Sequence, residues 1–245
     1  MQTIALYSIK GGVGKTAAVV NLAYLAAQSG AATLLIDLDP QSAATFYFRI
    51  RPSKKHDQSK LIKGGRAATK KIKASDYENL DLLPADFSYR NLDISLDQQK
   101  KSTKHLKDLI KTFKSEYEYI FFDCPPNITL VSENVFNAAD TILIPVIPST
   151  LSMRTYDTLL TFFKEGNFNT KKLKPFFSMV ERRKKMHREI VESTLNRKNE
   201  FLRNRIPYLS DVEKMGITRA PVVATNPKCR ASLAYRDLWI EMQNH

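Results

Sequence analysis

The chain has 245 residues, of which 43% are hydrophobic and 26% charged, and its formal net charge at pH 7 is +13. This length predicts one α/β domain over residues 1–245, and the positive charge favours a polyanionic partner. The two cysteines exclude a disulfide framework and suit a reducing compartment. Apolar runs stay short of the ~20 residues that span a bilayer, which argues against a membrane-spanning protein.

The first elements in chain order are a strand, a glycine-rich loop and a helix. Residues 3–8 form an apolar run that predicts a buried strand, and residues 17–28 predict a helix that ends before Gly30. The loop between them reads KGGVGKT and comprises Lys10, Gly11, Gly12, Val13, Gly14, Lys15 and Thr16. A strand, a glycine loop and a helix in this order are typical of a phosphate-binding site.

The chemistry of this loop indicates a nucleoside triphosphate with magnesium as the ligand. Glycines let successive backbone N–H groups point at phosphates, and the helix N-terminus adds partial positive charge. We expect Lys15 to reach the β- and γ-phosphates and the Thr16 hydroxyl to bind Mg²⁺. The usual G-x-x-x-x-G-K-[ST] pattern requires glycine at Ile9, whereas this chain carries a second lysine, Lys10. Because the two lysines are too close to serve the same oxygens, we expect Lys10 to reach a nucleotide held by another subunit.

Two further apolar runs end in carboxylates. LLIDLDPQ at 34–41 contains Asp37 and Asp39, and YIFFDCPP at 119–126 contains Asp123. Both runs predict strands of a parallel sheet, and ligands bind at the carboxyl edge of such sheets. Asp37 and Asp39 are two residues apart and are expected to project to the same side, one toward hydrated Mg²⁺ and the other toward the attacking water. Capping of a following helix is the alternative role for each aspartate.

The three motifs, in this order, resemble the deviant Walker A loop and the two following motifs of the ParA/MinD family of P-loop ATPases. The resemblance implies a slow, partner-stimulated ATPase that requires ATP and Mg²⁺ and forms an ATP-sandwich homodimer. It implies that Lys10 acts in trans and that Lys15 and Asp39 are catalytic. It also implies that Asp37 supports the metal shell and that Asp123 holds Mg²⁺ through water.

Two other positions bear on nucleotide contacts. The family commonly follows the loop threonine with a hydroxyl residue that touches the α-phosphate, and this chain has Ala17 there. Backbone N–H groups remain available, so we expect a weakened contact and retained binding. Pro207 and residues 220–235 resemble the family's C-terminal part more loosely, and Pro207 is expected near the base.

The remaining pattern alternates strands with helices. Strands are predicted at 80–83, 141–146 and 176–180, and helices at 102–114, 127–138, 150–164 and 232–242. Alternation of this kind predicts a P-loop NTPase fold with a doubly wound, mostly parallel sheet flanked by helices on both faces.

The first of two basic clusters follows the second motif. Residues 49–73 contain ten Lys/Arg and one acid, and residues 49–79 read as a long mobile loop because branched apolar residues are few. A solvated insertion, an arm that contacts DNA and a loop that docks a partner are equally compatible with this composition.

The second basic cluster, residues 171–205, contains twelve Lys/Arg and four Glu, and residues 186–204 predict a helix within it. Basic side chains on such a surface can follow phosphates without reading bases, which predicts nonspecific binding of double-stranded DNA. The candidate contacts are Arg182, Arg183, Lys184, Lys185, Arg188, Arg203 and Arg205. The alternative is a solvated helix face that keeps the protein in solution.

The sequence is compatible with three classes of function. The first is a ParA-like switch in the cytoplasm, associated with the nucleoid. In it, ATP closes a dimer on DNA, and a ParB-like or other activating partner triggers hydrolysis and release to position plasmid, chromosome or protein cargo. The second is a MinD-like membrane-associated switch, which ends in a basic amphipathic helix; residues 235–245 are short and nearly neutral, so we expect no membrane partner. The third is a P-loop enzyme acting on a small molecule, for which the sequence offers no recognisable acceptor pocket.

Overall fold

The computed structural model describes residues 1–52, 58–99 and 102–244. Within them a seven-stranded sheet has the order β3-β4-β2-β5-β1-β6-β7. The strands are β1 Gln2–Leu6, β2 Thr33–Asp37, β3 Lys73–Ala74, β4 Leu80–Leu83, β5 Tyr119–Asp123, β6 Thr141–Val146 and β7 Leu173–Phe177. All neighbouring pairs are parallel except β3–β4, which is antiparallel. The predicted α/β class and mostly parallel sheet are confirmed.

Helices cover both faces of the sheet. They are α1 Lys15–Gln28, α2 Ala43–Tyr47, α3 Gln58–Lys63, α4 Gly65–Thr69, α5 Leu92–Asp97, α6 His105–Lys111, α7 Leu130–Ala138, α8 Thr150–Glu165, α9 Lys185–Arg197, α10 Ser210–Glu213, α11 Met215–Thr218, α12 Val222–Thr225 and α13 Arg230–Gln243, with 3₁₀ turns at Phe87–Asn91 and Thr170–Lys172. Through the parts of the chain described, each helix is too short or too polar to cross a bilayer.

Side chains of the central strands alternate between two apolar clusters. On one face, Ala5 and Phe122 pack with residues of α5 to α9, including Phe163. On the other face, Ile4 and Phe121 pack with α1 and α13. The apolar side of α13 is therefore part of the core, because strand residues on this face need a cover.

Two predicted elements are displaced in the structure. The strand predicted at 176–180 is Leu173–Phe177, because Met179 adopts the left-handed conformation (φ +55°) and turns the chain. The helix predicted at 186–204 is Lys185–Arg197. It ends early because the following residues bury apolar side chains beside β7, where the N–H of Leu202 donates to the Pro175 carbonyl at 2.8 Å.

The prediction of a long loop at 49–79 is wrong where that segment forms regular secondary structure. Its described part contains α3, α4 and β3. Leu61 and Ala68 are buried, and Ile62 and Ile72 pack against the same core, so a few apolar contacts order a segment whose composition is mainly basic. Residues 53–57 of the segment lie outside the described residues.

Buried Asn21 joins α1 to the C-terminal part of the chain. Its Nδ2 donates to the Ala17 carbonyl at 2.7 Å and lies 3.3 Å from the Met215 sulfur, and its Oδ1 accepts from the Val223 N–H at 3.1 Å. This one fully buried amide therefore orients the segment that carries α10 to α12 on the first helix.

We expect Asn21→Ala to lower the free energy of unfolding by about 2 kcal/mol, because it leaves the Val223 N–H buried without an acceptor. Urea denaturation measures the change. Asn199→Ala is the matched control at an exposed position and should stay within ~0.5 kcal/mol of the parent. Equal stability of the two variants would contradict the anchoring role.

Candidate nucleotide site

The glycine loop connects β1 to α1 at the carboxyl edge of the sheet. Gly12 and Gly14 have φ values of +70° and +90°, a region that L side chains rarely adopt. A Cβ added at Gly14 would lie 3.1 Å from the Ser178 hydroxyl oxygen. Glycine at position 14 therefore satisfies two requirements, the left-handed backbone and the close approach of the chain that follows β7.

The two lysines of the loop have different surroundings. Lys15 is 7% exposed, and its Nζ lies 3.4 Å from the Lys10 carbonyl oxygen. Burial lowers the pKa of Lys15, while Asp123, Cys124 and Asp39 act in the opposite direction. Lys10 is exposed, and its backbone N–H donates to the Ser8 hydroxyl at 3.2 Å. Thus one lysine is folded into the site and the other extends into solvent.

A cleft of about 400 Å³, here called the nucleotide cleft, opens in front of the loop. It is lined by Gly11, Gly12, Gly14, Lys15, Thr16, Ala17, Asp39, Ala43, Tyr47, Pro126, Met179, Val212 and Glu213. The structure thus brings together the glycines, Lys15, Thr16, Ala17 and Asp39, as predicted. Val13 is buried, and Lys10 lines a neighbouring crevice. Pro207 lies in an adjoining cavity of about 70 Å³ whose walls include Gly14 and Ala17.

Six residues of the cleft were missed by the sequence reasoning: Ala43, Tyr47, Pro126, Met179, Val212 and Glu213. They come from four separate stretches of the chain and carry no shared motif. Of these six residues, the sequence pointed only to Pro126, because it belongs to the motif YIFFDCPP. Tertiary folding alone brings the others to the cleft.

Asp123 ends β5 as a fully buried carboxylate. Neither of its oxygens has a hydrogen-bond partner among the described residues. Burial and the neighbouring charge of Asp37 hold its pKa well above the ordinary range, although the Thr16 hydroxyl and Lys15 favour the charged form. An unpartnered buried carboxylate near a loop hydroxyl fits a hydrated divalent cation.

The donor set limits how such a cation is held. Across residues 1–52, 58–99 and 102–244, no group of three His, Cys, Asp or Glu side chains forms a metal cage. Mg²⁺ keeps several waters and takes phosphate oxygens as ligands, so a set of one hydroxyl and one or two carboxylates fits it.

Asp37 bonds to the first turn of α2, which matches the alternative role of helix capping, and its support of the metal shell stays a prediction. One oxygen accepts the Asp39 N–H at 3.1 Å, and the other accepts the Thr45 N–H at 2.9 Å and the Thr45 hydroxyl at 2.7 Å. Burial raises the pKa of Asp37 to about 6, against the effect of these hydrogen bonds. With both oxygens engaged, Asp37 holds the chain between β2 and α2, and thereby places Asp39 at the cleft.

Comparison with known proteins agrees with this geometry. Residues 1–175 match the model of a protein family described as an AAA domain. A ParA family protein of Chlamydia muridarum is 29% identical, over 99% of this chain and 97% of the relative. The sporulation initiation inhibitor protein Soj of Bacillus subtilis is 28% identical, over 96% and 95%. The chain belongs to the ParA/MinD family. It is a ParA-like P-loop ATPase, as the resemblance implied.

A solved ParA-like structure confirms the fold of this family member. The crystal structure of a putative plasmid partition protein from Borrelia burgdorferi, bound to AMPPNP, superposes with a TM-score of 0.86. It is 23% identical and the match covers 99% of this chain and 98% of that one.

The ParA-like domain also carries a groove of about 310 Å³ that is lined by arginines. Its basic residues are Arg182, Arg203, Arg205 and Arg230, and these four define what is here called the arginine groove. Arg182, Arg183 and Arg230 also line an adjoining groove of about 350 Å³. Arg230 begins α13 and was missed, because it lies outside both basic clusters of the sequence.

The other predicted DNA contacts lie outside both grooves. Lys184 forms an ion pair with Glu181, and Lys185 pairs with Glu189 at 3.6 Å. Arg188 donates from Nη1 to the Arg182 carbonyl at 2.9 Å. These three side chains are exposed and engaged locally, so the structure separates them from the arginine groove.

We expect Gly14→Ala to destabilise the ligand-free protein by at least about 1–2 kcal/mol, the cost of a left-handed backbone for an L side chain, with the Ser178 contact adding to it. Thermal and urea unfolding measure the loss. Gly11→Ala is the matched control in the same loop, since a Cβ there meets no atom within 4 Å. If both variants lose the same stability, the close packing at Gly14 is not the constraint.

Proposed function

We propose that this ATPase is a nucleotide-operated switch that forms an ATP-sandwich homodimer and binds double-stranded DNA nonspecifically. The observation that carries the proposal is the pair of lysines on one loop. Lys15 is buried and directed toward its own cleft, whereas Lys10 is exposed beside it. A second subunit that presents its triphosphate to Lys10 gives the exposed ammonium a charged partner.

Within one subunit we assign separate roles to the cleft residues. Lys15 and the backbone N–H groups of the loop bind the β- and γ-phosphates. Thr16 and Asp123 would hold Mg²⁺, Asp123 through water, and the ion would supply positive charge for phosphoryl transfer. Asp39 orients the attacking water. Pro207, in the cavity beside Gly14 and Ala17, packs near the base.

Hydrolysis in this scheme acts as a timer. Two carboxylates line the cleft, Asp39 and Glu213. We assign the orientation of water to Asp39, whose backbone N–H is held by Asp37. An activating partner, ParB-like or another cargo adaptor, accelerates hydrolysis and releases the dimer. The resemblance to the ParA/MinD family implies a place in the cytoplasm on the nucleoid, and plasmid, chromosome or protein cargo are all consistent with it.

The arginine groove is the proposed DNA contact. Arg182, Arg203, Arg205 and Arg230 come from three segments and converge on one concave surface. Guanidinium groups bind phosphate oxygens in bidentate fashion and need no particular base, so binding follows the DNA backbone and weakens with salt.

The dimer is tested with a pair of variants. Asp39→Ala should bind ATP without hydrolysing it and remain a dimer, because water is no longer oriented. Adding Lys10→Ala on that background should preserve one nucleotide per monomer but shift the protein to monomer, since the contact in trans is lost. Sedimentation and nucleotide binding measure both properties.

Lys228→Ala, at an exposed position away from the loop, is the matched control and should leave the Asp39→Ala dimer intact. A monomeric Asp39→Ala protein with ATP bound would contradict the proposed ATP-sandwich homodimer. An intact dimer after Lys10→Ala would refute the trans role alone.

DNA binding is tested with a random-sequence duplex in the presence of ATP, ADP or no nucleotide, across a salt series. We expect tight binding only with ATP and a log–log salt slope of about −0.9 per phosphate contact. Arg205→Ala and Arg230→Ala should each weaken binding by about 1–2 kcal/mol and reduce the slope by ~1.

Arg90→Ala provides the control, because this exposed arginine stacks on Phe87, 4.3 Å from the ring centroid, outside the residues that line the groove. Its affinity and salt slope should match those of the parent. If the parent binds no DNA in any nucleotide state, the DNA-coupled switch is rejected, whereas the assignment as an ATPase is unaffected.

A further inference from the structure

One short segment of chain forms a wall of both candidate sites. Residues 206–213 lie between β7 and α11, and Pro207, Tyr208 and Leu209 line both the small cavity beside Gly14 and the groove that contains Arg182 and Arg230. Farther along the segment, Val212 and Glu213 line the nucleotide cleft. A displacement of this segment therefore changes the shape of both sites.

The two ends of the segment are anchored. At its start, the Val180 N–H donates to the Ile206 carbonyl at 3.0 Å, and the Tyr208 N–H donates to the Val180 carbonyl at 3.2 Å. Just past its end, Met215 is buried and lies 3.3 Å from the Asn21 amide nitrogen. Movement is thus confined to the few residues between these anchors.

A side-chain hydrogen bond spans the middle of the segment. The Tyr208 hydroxyl donates to Glu213 Oε1 at 2.6 Å, and this bond raises the pKa of Tyr208. Tyr208 is half-exposed on the groove side, and Glu213 lies on the cleft side. The bond therefore joins a residue of the groove to a residue of the cleft.

A nucleotide in the cleft acts directly on Glu213. The carboxylate lines the same cleft as Lys15 and Thr16, so a triphosphate repels it and a ribose hydroxyl offers it a new donor. Either effect competes with the Tyr208 hydroxyl for Glu213. The release of Tyr208 then alters the wall beside Arg182 and Arg230.

We propose that Tyr208 is a positioning residue that couples nucleotide occupancy to the anion affinity of the basic groove that it lines with Arg182, Arg183 and Arg230, beside the arginine groove, acting through its hydrogen bond to Glu213. The inference rests on the proposed nucleotide-dependent DNA binding and adds the contact that transmits it. Because coupling between sites is reciprocal, DNA must change nucleotide affinity by the same factor.

The test measures a ratio, the dissociation constant for a random-sequence duplex without nucleotide divided by that with ATP. Tyr208→Phe removes only the hydroxyl at an exposed position and should lower this ratio by about fivefold or more, within the range of typical coupling. The reciprocal ratio, nucleotide affinity without and with DNA, should fall equally. A merely structural role would change affinities without changing the ratios.

Tyr117→Phe is the matched control, because its hydroxyl donates to an Asp81 carboxylate at 2.7 Å near the amino ends of β4 and β5. It should keep the parental ratio. Glu213→Ala should lower the ratio, and the double variant should lower it no further if the two residues act as a pair.

The outcomes separate the two proposals. A parental ratio of one would reject nucleotide-dependent DNA binding, and this inference with it. A parental ratio well above one that survives in Tyr208→Phe would reject the Tyr208 link alone. Additive losses in the double variant would also overturn it, because they would show that the residues act independently.

Discussion

The structure depends on the balance of charge buried at the carboxyl edge of the sheet. Asp37, Asp123 and Lys15 are buried there, and neighbouring strands place the two aspartates opposite one another. Asp37 is compensated by Thr45 and the backbone of Asp39, whereas Asp123 has no protein donor in the described chain. Apart from the nearby Thr16 hydroxyl and Lys15, nothing among the described residues offsets the charged form of this buried carboxylate, and a cationic ligand would stabilise it.

The same edge shows how far a strand pattern predicts a site. Period-two alternation applies only while the backbone stays in the sheet, and β2 ends at Asp37. Asp39 lies beyond that end, so the strand alternation that predicted both aspartates on the same side does not apply to it. The family resemblance already separated the supporting Asp37 from the catalytic Asp39, and the hydrogen bonds to Thr45 add how Asp37 holds the chain that carries Asp39.

Elements were predictable where one physical signal dominated. Strands at 80–83 and 141–146 are observed with the predicted bounds, and both consist mainly of apolar residues. The run at 173–180 is apolar beyond the strand, and its end is set by the left-handed Met179, which hydrophobicity does not reveal. Basic composition suggested a loop near residues 58–69, whereas burial of Leu61 and Ala68 orders it.

The arginine groove illustrates why charge along a sequence differs from charge in space. Within the basic cluster, Lys184 and Lys185 pair with glutamates one turn away, which removes much of their effect on a distant phosphate. Arg230, which lies outside both basic clusters, instead lines the groove together with Arg182 and Arg205. The basic surface of the groove is therefore set by where three segments meet. One of them continues through Pro207 to Val212 and Glu213 in the wall of the nucleotide cleft, so the groove and the cleft share one segment of chain.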